Sequence, residues 1–340
     1  MKKNLITLFL LVLSAPIFAQ TVKKIIIPDI PGYVTLKGDF HTHTVFSDGE
    51  VWPTVRIDEA VREGLDVIAI TDHIEYRPHL SDVPSDHNRS YDIAKLHAGK
   101  HNVILIKGAE ITRSMPPGHF NALFITDAAA LAKDDFKAVI KEVKKQGGFI
   151  IWNHPGWKAQ QPDTIKWFDI HTWLHENGML NGIEIYNEKE YYPVVFGWAL
   201  QKKLTIFANS DTHNPIAMMY DLANSHRPVT LIFAKERTEA QVKEALFEGR
   251  TVSFTDNVLR GQEEWLKPLF MACVKQVKKG GKTELTNLSG VEFEIELVSE
   301  KTVKTIVLTE GKTATVNKGS TLKINNFETA PGKNLEVTVE

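Results

Sequence analysis

The fragment Gly38-Asp39-Phe40-His41-Thr42-His43 places two histidines one residue apart. Side chains alternate between the faces of a strand, so His41 and His43 point the same way and their imidazoles can chelate one metal ion. Four later fragments carry the same kinds of residue: Thr71-Asp72-His73, Gly108-Ala109-Glu110, Asn153-His154-Pro155 and Ser210-Asp211-Thr212-His213. Short apolar runs precede them, such as Val67–Ile70 before Asp72 and Phe149–Trp152 before His154. Imidazoles and carboxylates recurring at strand ends point to a hydrolase built around a cluster of divalent metals. Cys273 is the only cysteine. It can form neither an intramolecular disulfide nor a thiolate site, which leaves imidazole and carboxylate as the metal ligands.

The elements that would carry these residues alternate between strand and helix from about residue 33 to 255. Ile57, Ala60, Val61 and Gly64 follow Pro53 at helical spacing, with Pro53 suited to a first turn. Phe136, Val139, Ile140 and Val143 form a second stripe, stopped by Gly147-Gly148, and a last helix runs from Glu239 to Glu248 before Gly249. Such alternation predicts parallel strands covered by helices. The metal-type residues all follow C-terminal strand ends, which converge at the mouth of a closed barrel but spread along an open sheet. A barrel is therefore expected. Beyond about residue 265 the pattern changes to period two: Val291, Phe293, Ile295 and Leu297 alternate with Glu292, Glu294 and Glu296. Strands of that kind predict a small antiparallel β-sandwich, Ig-like, which contains no histidine and so contributes no imidazole ligand. The expected division is 1–20, 21–264 and 265–340.

The chain of 340 residues is long enough for one large domain and a small one, and 43% hydrophobic with 24% charged residues is ordinary globular composition. Forty basic residues against 42 acidic ones give a formal charge of −2, so no extended nucleic acid is expected as a partner. Lys2 and Lys3 precede the apolar run Leu5 to Leu13, and Ser14-Ala15-Pro16-Ile17-Phe18-Ala19 follows. This reads as a signal peptide cleaved after Ala19 or Gln20, too short to span a membrane. The mature chain is expected to be exported, periplasmic or secreted, without a membrane anchor. Oligomeric state is left open.

Taken together the motifs resemble the PHP family, named for polymerase and histidinol phosphatase domains. Gly-Asp-Phe-His41-Thr-His43 with Ser47-Asp48-Gly49 is similar to its first motif. Thr71-Asp72-His73 is similar to the second, Asn153-His154-Pro155 to the third and Ser210-Asp211-Thr212-His213 to the fourth. Glu110, and His119 in Pro117-Gly118-His119-Phe120, match two further ligands. The resemblance covers roughly Leu36 to Phe254 and implies a distorted (β/α)7 barrel holding two to three divalent transition metals, Zn, Mn or Fe. Carried over by position, one metal would be held by His41, His43, Glu110 and Asp211. A second would take Glu110, His119 and His154, so that Glu110 bridges, and a third would take Asp48, His73 and His213. Asp48 stands where some members have histidine and others aspartate, and the harder carboxylate favours Mn or Fe there.

The chemistry implied is phosphoester hydrolysis, with Glu110 and Asp211 expected to act in catalysis. Metals sharing a carboxylate supply hydroxide near neutral pH and neutralise phosphoryl oxygens. The expected substrate is a small phosphorylated molecule. Arg113 and Lys158 are candidate phosphate-binding cations, and His79, with Tyr76 and Arg77, lies on a polar stretch (75–88) that reads as a lid. With so few cations near a site flanked by Trp52, Tyr76 and Trp157, a phosphodiester is favoured over a monoester. The segment from Val51 to His79 and the C-terminal β region are similar to exported PHP members. Two other readings compete: a metal hydrolase of C–N or carboxyl-ester bonds, which usually carries a metal-bridging lysine not found among these motifs, and a non-catalytic binding protein, for which missing ligands would be expected.

Overall fold

The computed structural model describes residues 22–298 and 303–339; the expected signal peptide lies outside the described residues. Apolar runs form the strands β1 (Val34–Asp39), β2 (Val67–Ile70), β3 (Ile104–Ile111), β4 (Phe120–Leu123), β5 (Phe149–Trp152), β6 (Gly182–Asn187), β7 (Glu190–Tyr191), β8 (Thr205–Asn209), β9 (Val229–Ala234) and β10 (Thr251–Thr255). Between them lie the helices α1 (Pro53–Glu63), α2 (Arg89–Lys100), α3 (Phe136–Lys145), α4 (Asp169–Glu176), α5 (Pro193–Lys202), α6 (Ile216–Met219) and α7 (Glu239–Phe247). α1 starts on Pro53, whose missing N–H would have no helical partner, and ends where Gly64 turns left-handed at φ 78°. It buries Ile57 and Ala60, but Val61 is 39% exposed, so its apolar stripe is narrower than the spacing predicts. Asp135 and Thr238 cap α3 and α7 by accepting from the backbone N–H groups of Lys137 and Gln241.

The strands form one curved sheet in the order β10-β9-β1-β2-β3-β4-β5-β6, with β8 on the other side of β6. The pairs β1/β2, β2/β3, β5/β6 and β6/β8 are parallel. The pairs β1/β9, β9/β10, β3/β4 and β4/β5 are antiparallel, which corrects the expectation of parallel strands throughout. The connection 112–119 between β3 and β4 is shorter than the dozen or so residues a parallel crossover needs, so β4 must run back along β3. The sheet curls until β8 approaches β9 and β10. Threonine hydroxyls link them there: Thr230 Oγ1 accepts from the Ala208 N–H at 3.0 Å, and Thr251 Oγ1 donates to the Ile206 carbonyl at 2.8 Å. Phe40, Phe149 and Phe207 meet edge to face inside the curve, within a buried cluster that includes Val67, Ile106, Ile151 and Ile232.

The rest of the chain forms β11 (Val258–Arg260), α8 (Glu263–Cys273), β12 (Val274–Lys279), β13 (Lys282–Asn287), β14 (Phe293–Val298), β15 (Val303–Leu308), β16 (Thr313–Asn317), β17 (Thr321–Ala330) and β18 (Lys333–Thr338). A three-stranded antiparallel sheet, β12-β13-β16, stands apart from the run β15-β14-β17-β18. The predicted alternation holds, since Val291, Phe293 and Ile295 are buried while Glu292, Glu294 and Glu296 face outward. Two features were not expected. β17 lies parallel to β11 and so continues the main sheet, and α8 spans the expected boundary at 264/265. α8 buries Leu266, Leu269 and Phe270 in one apolar cluster with Val229 and Phe233 of the curved sheet and Phe293 and Phe327 beyond it.

Candidate metal centre

The strand ends are stitched together before any side chain is considered. The His43 N–H donates to the Thr212 carbonyl at 3.0 Å, tying the segment after β1 to the segment after β8. The Thr71 N–H donates to the Thr42 carbonyl, and the Ile74 N–H to that of Glu110. The Asn153 N–H reaches the His119 carbonyl at 3.0 Å. His119 precedes β4 rather than following a strand, so ligand-type residues do not all sit at C-terminal ends. Because β4 is antiparallel, its N-terminal end lies on the same rim as the C-terminal ends of its neighbours. His154 and Asp211 both have positive φ, 26° and 49°, conformations that ordinary residues hold only where surroundings enforce them. For His154 the enforcing contact is a 2.6 Å hydrogen bond from its N–H to Glu184 Oε2.

Of the nine positions predicted from the motifs, seven line one cavity of about 780 Å³, and His41 and His43 lie fully buried against its Glu110 and Asp211. In a first group, His41 Nε2 lies 3.3 Å from Glu110 Oε2 and 3.1 Å from Asp211 Oδ1, and His43 Nε2 lies 3.3 and 3.0 Å from the same two oxygens. The other oxygen of Glu110 faces a second group, 3.1 Å from His119 Nδ1 and 3.4 Å from His154 Nε2. In a third, Asp48 Oδ2 stands 3.4 Å from His73 Nε2 and 3.3 Å from His213 Nε2. Atoms bound about 2.1 Å from a shared ion lie roughly 3.0–3.4 Å from one another, so these separations fit metal sites. The buried atoms His41 Nε2, Glu110 Oε2 and Asp48 Oδ1 also have no hydrogen-bond partner. A buried polar atom without a partner is costly, and a cation in the first group would satisfy His41 Nε2 and Glu110 Oε2, as one at Asp48 would satisfy its carboxylate.

Electrostatics point the same way. Burial alone would hold Glu110 and Asp211 neutral, but the surrounding imidazoles outweigh it and keep both carboxyls well below the usual range. Burial likewise opposes protonation of His213, yet Asp48 and Asp211 raise it to about 9. His43 goes the other way, to about 4, because it is buried and its ring is stacked between those of His213 and His73 at 4.2 and 4.5 Å. Three carboxylates, Asp48, Glu110 and Asp211, thus favour positive charge on the surrounding imidazoles, where cations would sit.

A supporting layer was not singled out in the sequence. Glu184, fully buried on β6, accepts from His41 Nδ1 at 2.8 Å and from Asn209 and Asn187, which turns His41 Nε2 towards the cavity. Asp72 accepts from the backbone and hydroxyl of Thr44 and from Ser47, holding the loop that carries Asp48. Below them, fully buried Arg227 pairs with Glu63 at 2.9 and 2.6 Å and with Asp39 at 3.0 Å. Asp39 in turn accepts from Ser210 Oγ at 2.5 Å.

The expected substrate residues divide. Lys158, Tyr76 and Trp157 line the cavity. Arg113 does not: its guanidinium is engaged by Glu75 and by the carbonyls of Thr112 and Lys133. His79 is also outside the cavity wall, and Trp52 packs on Phe46 instead. The wall includes a segment the motifs do not reveal, Glu188-Lys189-Glu190, the turn of the β6–β7 hairpin and the first residue of β7. That hairpin is seated from the C-terminal side. Tyr191 donates to Glu328 Oε1 at 3.1 Å, Arg260 Nε donates to Glu328 Oε2 at 2.8 Å, and the Arg260 guanidinium lies 3.9 Å over the Tyr191 ring.

A crystal structure of a two-domain protein from Bacteroides vulgatus, containing a predicted PHP-like metal-dependent phosphoesterase, superposes with a TM-score of 0.90. It is 44% identical, over 94% of this chain and 99% of that one. The chain belongs to the PHP family. No family model matches it. An uncharacterised protein of Methanocaldococcus jannaschii is 37% identical over 84 residues, 24% of this PHP chain and about a third (36%) of that relative's own length. The histidinol phosphate phosphatase of Lactococcus lactis, crystallised with zinc, L-histidinol and phosphate, covers 55% of this chain and 92% of its own at 17% identity and a TM-score of 0.32. At that distance its substrate has no bearing on this PHP member.

Proposed function

We propose that this chain is an exported metal-dependent phosphoesterase that hydrolyses small phosphodiesters, on a scaffold of the distorted (β/α)7 type. The observation that carries the reading is the arrangement around Glu110, whose two oxygens face two separate groups of imidazoles, with a third group at Asp48. His41, His43, Glu110 and Asp211 would hold one ion, Glu110, His119 and His154 a second, and Asp48, His73 and His213 a third. Zn, Mn or Fe bound there would supply hydroxide near neutral pH and neutralise the phosphoryl oxygens.

The chain's own residues do the remaining work. Glu184 fixes the orientation of the His41 ring, and the Asp211 carbonyl, 2.8 Å from His213 Nδ1, leaves that ring's Nε2 facing Asp48. Tyr76 and Trp157 give the cavity aromatic walls. Lys158 and Lys189 are the cations in the wall, and no arginine lines it among the described residues. A monoester dianion is best oriented by a bidentate arginine, whereas a diester carries a single charge that a lysine can meet as a point charge. Arg113, engaged by Glu75 outside the cavity, does not reach the phosphate, and Lys158 is positioned to meet it.

The test is hydrolysis of bis-p-nitrophenyl phosphate and p-nitrophenyl phosphate by protein reconstituted with Mn or Zn. A higher kcat/KM for the diester is expected. Preference for the monoester overturns the diesterase reading alone, and turnover of neither ester with metal bound overturns the phosphoesterase reading.

A further inference from the structure

Outside the cavity a separate set of ligand-type side chains meets on the surface of α1 and α2. His97 lies in the last turn of α2, and His101 is the residue that closes the helix. Four residues apart, they share a helix face, and their ring centroids are 4.6 Å apart. Asp58 reaches across from α1, its Oδ1 2.6 Å from His97 Nε2. One ligand atom from each residue lies within 4.8 Å of the other two. A hydrogen bond between Asp58 and His97 accounts for two members of this group. It does not account for the third, an exposed imidazole brought to the same point from the end of the helix.

We propose that Asp58, His97 and His101 form a second metal site, distinct from the cavity, taking one borderline transition-metal ion such as Zn2+ or Ni2+. Two imidazoles at i and i+4 on a helix are a chelating pair for such ions, and a carboxylate from another element completes a three-residue face. Two nitrogen donors out of three disfavour Mg2+ and Ca2+, which take oxygen ligands. Side-chain exposure leaves the remaining coordination positions to water. An ion there ties α1 to α2, the helices on either side of β2.

Equilibrium dialysis of the full chain against Ni2+ decides the matter, comparing wild type with His97→Gln, His101→Gln, the double variant and Asp58→Asn. None of these residues touches the cavity, so its own uptake cancels in the comparison. Wild type should bind one more ion per chain than the double variant. Each single variant should bind that ion at least about tenfold more weakly, the loss that even an outer-shell change causes. Equal uptake by wild type and the double variant refutes the site, and an unchanged affinity in Asp58→Asn refutes its three-residue form. Urea midpoints in metal-free buffer that match wild type show that the variants are folded.

Discussion

Arg227→Met should be among the most destabilising single substitutions in this chain. The guanidinium is fully buried and makes three charged hydrogen bonds, two to Glu63 and one to Asp39. Asp39 is 0% and Glu63 3% exposed, so methionine would fill the volume and leave two interior carboxylates without their paired cation, the neighbouring buried Arg56 being engaged by Glu59. Breaking a buried pair from one side costs about 3–5 kcal/mol, because the partner's desolvation is no longer offset. Domains of ordinary stability have about 5–15 kcal/mol in total, so about a fifth or more should be lost. The assay is urea unfolding of metal-free protein followed by circular dichroism, with the loss read from the shifted midpoint at unchanged slope. The triple variant Arg227→Met/Glu63→Gln/Asp39→Asn should recover part of it, since no net charge then stays buried. A loss below about 1 kcal/mol for Arg227→Met, the size of a surface pair, would refute the reasoning.

Three further outcomes are expected. His171 is buried against Trp152, accepts from the Phe168 N–H and faces the Pro117 carbonyl, and burial lowers its pKa to about 4. The unfolded chain takes up that proton from about pH 6.5 downward, so the contribution is complete above that pH and is lost between 6.5 and 4, about 2 kcal/mol by pH 5. Wild type should therefore lose about that much more stability than His171→Gln between pH 7 and 5, and parallel profiles would contradict this. Glu184→Gln should weaken metal retention by about 10- to 100-fold in chelator competition while the chain stays folded, because it loosens His41 and the His154 backbone together. Gly49→Ala should reduce metal content measured by elemental analysis, since a Cβ there would lie 2.6 Å from the His43 backbone and must displace it.

The nine converging positions were legible because each motif is contiguous in sequence and follows or precedes an apolar run that places it at the rim. Glu184 was not, as a single carboxylate between Ile183 and Ile185 reads like the polar half of an alternating strand. The one available signal was that its whole strand is flanked by apolar residues on both faces, where a carboxylate needs partners. Arg113 misled for a related reason: its nearness to Glu110 in sequence was visible, whereas its ion-pair partner Glu75 is 38 residues away. Strand direction and sheet order were hidden likewise. The reversal of β4 was hidden in the length of the 112–119 connection, and the pairing of β11 with β17 joins residues 68 apart.

The seating of Tyr191 by Arg260 and Glu328 bears on how such a protein can be recombined. A chimera that took everything after Gly261 from another protein would keep every group that converges around Glu110. It would also keep Lys189, but not the carboxylate beneath the hairpin that presents it. The rim of the cavity and the β17 strand are therefore inherited as one unit, and a graft succeeds only if the incoming strand brings its own acid to the position of Glu328.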